Sequence, residues 1–119
     1  MKYNLEENYS VLILDIVDSM PDKKGANHLR SQMVRSGTAP SLKYGEAQSS
    51  ESRRDFIHKM RLPLNELRET YNCLKIIERK NYVLNAKEKL TEALNESHEL
   101  ISIFVKSLQT AIKNSKTKN

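Results

Sequence analysis

Apolar residues recur at spacings of four and three through three long segments of the chain, and through a fourth built from smaller side chains. The last segment is the plainest: Leu90, Leu94, Ser97, Ile101, Phe104, Leu108 and Ala111 fall on one side of a helix. Asn85, with Glu88 three residues later, has the spacing of a capping box and predicts a helix over about 86–113. The preceding segment repeats the pattern in Phe56, Met60, Leu64, Leu67, Tyr71, Leu74 and Ile77. It predicts a helix over 51–79, capped by Ser50 and ending in basic residues and Asn81. Pro63 lies inside it, removing one backbone donor and crowding the carbonyl of Lys59. The apolar phase carries through the proline, so a single helix bent there is expected.

The first apolar segment has two readings. "SVLILDIVDS" alone fits a buried β-strand. Leu5, Tyr9, Leu12, Ile16 and Met20, however, hold helical spacing over sixteen residues, far longer than an average strand. A helix over 5–20 is favoured, stopped by Pro21 and Asp22. Between it and the third helix, residues 27–48 place Leu29, Met33, Ser36 or Gly37, Pro40, Tyr44 and Ala47 on one side, with Asn27 as cap. The central run Ser36, Gly37, Thr38, Ala39 and Ser41 has poor helix propensity, each Gly costing about 1 kcal/mol against Ala, and Pro40 is a second place for a kink. Packing must compensate. Small side chains admit a close neighbour, so this second helix is expected to be the most enclosed. Four helices with short turns predict an all-α, antiparallel up-and-down four-helix bundle, with a proline-bent third helix. One domain over 1–119 is expected, with about 114–119 a frayed basic tail.

Val11, Leu14, Val17, Leu42, Ile57, Ile76, Ile103 and Val105 fall outside the inward stripes. One bundle cannot hide them all, so a homo-oligomer is expected.

Composition narrows the function classes. With 119 residues, 38% hydrophobic and 29% charged, the chain has the balance of a single soluble domain. The only cysteine, Cys73, excludes an internal disulfide and has no histidine close in sequence to make it a nucleophile, which fits a reducing cytoplasm. "MKYNLEENYS" lacks the basic region and cleavage site of a signal peptide, and "VLILDIV" is too short to span a bilayer, so neither export nor membrane insertion is expected.

Charge is unevenly spread. The formal net charge is +5, but from Lys23 to Arg61 nine basic residues face only Glu46, Glu51 and Asp55, so that segment alone carries 9 − 3 = +6. Lys43, Arg53, Arg54, Lys59 and Arg61 are therefore candidate phosphate contacts, of the kind that is indifferent to sequence and weakened by salt. The competing reading is a solvated helix face neutralised by Glu51 and Asp55. Only Tyr44 and Phe56 lie nearby as aromatics, so base stacking is not indicated. Glu46 and Glu66 are expected to be buried and paired with arginines such as Arg35 or Arg68. Asp55 and His58 share a helix face, but neither His28 nor His98 has a carboxylate three residues before it, as a di-metal bundle requires. No metal, cofactor or catalytic residue is predicted. Gly37 and Gly45 are isolated and do not make a phosphate loop.

The segment "QMVRSGTAPSLKYGEAQSSESRRDFIHKM" resembles the signature of the small four-helix bundle proteins encoded in intervening sequences of bacterial 23S ribosomal RNA genes. Arg35 to Thr38, Tyr44, Glu46, Ala47, Ser52, Asp55, Phe56 and Lys59 match that signature, and Leu64, Glu66, Arg68, Glu69 and Thr70 match a later segment. The resemblance covers roughly Leu29 to Ile77. Pro63, Asn65, Leu67 and the Asn72-Cys73 pair depart from the family pattern, and the first helix lacks its common tryptophan. The resemblance implies an up-and-down bundle that assembles as a ring-shaped homopentamer, with no established catalytic role. It makes Arg35, Gly37, Tyr44, Glu46, Phe56, Glu66 and Arg68 structural signature residues. A relative of the same architecture, the accessory protein of diversity-generating retroelements, is a basic pentamer that binds nucleic acid and a reverse transcriptase. Two function classes follow: a non-enzymatic oligomer presenting basic surface to RNA, DNA or a nucleic-acid enzyme, or an oligomeric scaffold binding a protein partner.

Overall fold

A computed structural model describes residues 5–117, with side chains to residue 115. It contains four helices: α1 Leu5–Asp18, α2 Lys24–Gln48, α3 Arg53–Lys80 and α4 Lys87–Thr117. Each packs on its neighbours in the chain, and α1 closes the ring against α4. Cross-helix contacts give the direction. Tyr9 meets Ser97 while Asp15 meets Lys89, so α1 and α4 run oppositely. The same reversal holds for α1 and α2, where Ser10 meets Gly37 and Val17 meets Arg30, and for α3 and α4, where Arg53 meets Asn114 and Tyr71 meets His98. The body is long and narrow, 54 × 29 × 19 Å.

The stripes face inward as their spacing predicts, with Tyr9, Ile16, Met33, Met60, Leu67, Leu74, Leu90 and Phe104 all buried. Leu5 at the start of the first stripe stays exposed, while Ile13 is fully buried. α2 and α3 each continue unbroken through their prolines, Pro40 and Pro63, both buried.

The ends are set by groups other than those expected. α2 starts three residues before Asn27, because the Asn27 N–H donates to the Lys23 carbonyl at 2.7 Å and winds back a turn that buries Ala26. The Asn27 side chain bonds Asp22 Oδ1 at 2.8 Å instead of capping. Ser52, not Ser50, caps α3: its Oγ accepts from the Asp55 N–H at 3.0 Å, while the Ser50 N–H closes the end of α2 on the Ala47 carbonyl. Asn81 ends α3 in the left-handed region, φ 55°, as asparagine tolerates, and the Tyr82 N–H reaches back to the Ile77 carbonyl. α4 begins at Lys87, and Ala86 at the capping position has no side-chain acceptor, so the expected Asn85 capping box does not form. α4 also runs past Lys113 to Thr117, into the expected tail; Lys118 and Asn119 lie outside the described residues. Arg30 closes the end of α1 by donating to the Val17 carbonyl at 3.3 Å, and it holds the following turn through the Met20 carbonyl at 2.7 Å and the Pro21 carbonyl at 3.1 Å.

The small residues of α2 permit close contact, as their sizes suggest. Gly37 lies against Ile13, and the Ser10 hydroxyl donates to the Gly37 carbonyl at 2.9 Å. Beside this contact runs a polar layer through the core. Tyr9 and Ser97 share a hydrogen bond of 2.6 Å, Ser36 and Thr70 one of 2.7 Å, and the Thr70 hydroxyl also reaches the Glu66 carbonyl. Burial pushes the Tyr9 phenol well above its ordinary range.

Candidate nucleic-acid interface

The five basic candidates do not form one patch. Arg54 and Arg61 are seven residues apart on α3 and share a face; both are exposed and in no ion pair among the described residues. Lys59 lies about 160° around the helix from Arg61 and bonds Asp55 at 3.1 Å. Arg53 donates to the Asn114 carbonyl at 3.3 Å, tying the start of α3 to the end of α4. Lys43 is half-buried on α2. Sequence proximity grouped these residues, whereas helical rotation separates them.

The signature residues divide similarly. Arg35 bridges α2 to α3, bonding Glu66 at 3.2 Å and Glu69 at 2.9 Å, so the expected pairing of buried Glu66 is present. Tyr44 stacks on Phe104 with centroids 5.0 Å apart, and Phe56 packs half-buried against the core. Glu46 overturns its expectation of burial, and Arg68, the alternative partner to Arg35, is not the one Glu66 uses. Glu46 is exposed, one residue and about 100° from buried Ala47. Arg68 stands two residues from Glu66, so when Glu66 turns to α2 Arg68 must turn away from it. It falls instead on the Arg54–Arg61 face. The seven-residue recurrence of arginine at 54, 61 and 68 is the signal that finds it.

The groove beside this face, between α3 and α4, has a volume of about 270 Å³. Arg61, Asn65 and Arg68 line one side, Gln109 the other, over a floor that includes Leu64 and Leu108. Asp55 is engaged by Lys59, and among the described residues no three His, Cys, Asp or Glu side chains converge to hold a metal ion. Cys73 is buried, and burial followed by Glu69 pushes its thiol up, disfavouring the thiolate a nucleophile needs. No helix among the described residues is long and apolar enough to cross a membrane.

Among the described residues, Glu96 is the one carboxyl with a buried oxygen lacking a partner, and burial, then Glu92 and Glu99, push it up. A raised folded-state value favours the neutral form, so its stability contribution is complete below the ordinary carboxyl range and is lost as pH rises through the raised value. Glu96→Gln should therefore melt higher than the parent at pH 8 and the same at pH 4. A variant less stable at pH 8 would mean that Glu96 has found a cation.

The chain matches the model of the 23S rRNA-intervening sequence protein family over residues 3–106. It belongs to that family. A crystal structure of a protein of unknown function from the S23 ribosomal protein family of Bacteroides thetaiotaomicron is similar, with a TM-score of 0.76 and 25% identity over 87% of this chain and 94% of that one. No curated protein matches. The match to this 23S rRNA-intervening sequence protein profile spans all of α1 to α3 and most of α4, so the arginine face of α3 lies within the family domain.

Proposed function

We propose that this 23S rRNA-intervening sequence protein is a non-enzymatic, cytoplasmic homo-oligomer, a pentamer, whose basic surface binds RNA or DNA through phosphates. The observation that carries the binding half is the pair Arg54 and Arg61, which share an outward face and are in no ion pair among the described residues, unlike Lys59, which bonds Asp55, and Arg53, which donates to the Asn114 carbonyl. Assembly is supported by apolar side chains left on the surface of α1 and α2: Val11 is 59% exposed, Leu14 39%, Val34 43% and Leu42 70%. The second face is smaller than the sequence implies. Val17 is buried at 4%, and Ile57 and Val105 pack half-buried on the core.

Mobility shift over a salt series tests the binding half. Single strands and duplexes of unrelated sequence should all be retained at low salt and released together as salt rises. Absence of any shift at low salt would overturn it and leave the exposed apolar face to a protein partner, the scaffold reading.

A further inference from the structure

We infer, resting on the nucleic-acid reading above, that the contact surface is the whole outer edge of α3, a continuous track for an extended nucleic-acid backbone. Arg54, Arg61, Arg68, Lys75 and Arg79 recur at spacings of seven, seven, seven and four, so they lie along one edge of the helix. Between them at helical spacing stand His58, Asn65 and Asn72. All eight positions are exposed, and none is a carboxylate.

The acids of α3 are turned elsewhere. Asp55 bonds Lys59, Glu66 and Glu69 bond Arg35 of α2, and Glu78 lines a separate groove with Lys87. On the neighbouring helix, Gln109 faces the track across the α3–α4 groove, while Glu96 lies by Tyr9 toward α1. Lys75 sits over the Tyr71 ring, 4.6 Å from its centroid; the four arginines are in no ion pair among the described residues. With these carboxylates off the edge that carries the five cations, that edge has no ion-pair partner among the described residues.

From Arg54 to Arg79 the track is about 37 Å long at 1.5 Å per residue. That equals about eleven base pairs at 3.4 Å each. A mononucleotide or terminal phosphate would engage one or two cations, whereas an extended backbone can meet all five. The chemistry of the side chains agrees: arginine, lysine, histidine and asparagine all donate to phosphate oxygens, and no Phe, Tyr or Trp stands among the eight track positions.

The test compares three double variants by titrating a labelled duplex of about twenty base pairs at several salt concentrations. Arg68→Ala/Arg79→Ala should weaken binding about tenfold or more at low salt and reduce the salt slope by about two units, one for each phosphate no longer neutralised. Arg53→Ala/Lys59→Ala, removing cations already engaged within the protein, should leave both nearly unchanged. Thermal melts should confirm that each variant is folded, since the replaced groups are surface charges. A duplex of about five base pairs should bind far more weakly than the long one. If Arg68→Ala/Arg79→Ala binds like the parent while Arg54→Ala/Arg61→Ala is weakened, the track is wrong and the interface is confined to the start of α3. If the parent does not bind, the nucleic-acid reading itself falls.

Discussion

Gly37→Ala should destabilise the bundle by about 2 kcal/mol, although alanine in a helix interior ordinarily gains about 1 kcal/mol over glycine. The sign turns on space. A Cβ at position 37 would stand 2.5 Å from Ile13 Cγ2 and 3.1 Å from Ile13 Cβ. Ile13 is fully buried, and its branched side chain cannot rotate its methyl away without entering another part of the core. Moving α1 outward would break the Ser10 bond to the Gly37 carbonyl. Overpacking of this kind costs about 1–3 kcal/mol. In an Ile13→Ala background, itself weakened by a cavity, the further change at position 37 should cost little or become favourable. Denaturant unfolding of the two single variants and the double decides it. Additive effects would show that Ile13 is not what forbids a side chain at 37.

Thr70→Val should cost about 2 kcal/mol with almost no change of shape. It removes the hydroxyl that bonds Ser36 at 2.7 Å, and Ser36 is fully buried with no route to water. An orphaned buried hydroxyl loses about 1–3 kcal/mol, whereas removing both partners together can be nearly neutral. Ser36→Ala/Thr70→Val should therefore be less destabilised than the sum of its single variants. Thr70 also donates to the Glu66 carbonyl, so a residual cost remains in the double variant. Equal costs for the double and the summed singles would mean that the two hydroxyls act independently.

Helix phase is legible in this sequence because burial enforces it residue by residue: Leu90 to Ala111 and Phe56 to Ile77 project inward along their length. The caps are less so. Each boundary offers competing hydrogen-bonding groups within a few residues, as with Ser50 and Ser52, and only the backbone path chooses between them. The contact of Gly37 with Ile13 was foreshadowed by a run of small residues, but the partner was not, since the run does not specify which neighbour approaches. Site residues are the least legible. Lys59 and Arg53 look like companions of Arg54 and Arg61 along the chain, yet one is rotated toward Asp55 and the other is held by the end of α4. Arg68 looked like an ion-pair partner within the signature, and rotation places it on the basic face instead. In each case linear charge density concealed the division of a helix into faces.

Assembly and phosphate binding meet in one measurement: light scattering after size exclusion, with and without a strand of about twenty nucleotides. The free protein should have a mass near five times 13.8 kDa, increased by bound strand at about 50 mM salt and restored to the free value at high salt. A mass near 13.8 kDa that the strand does not change would contradict both halves.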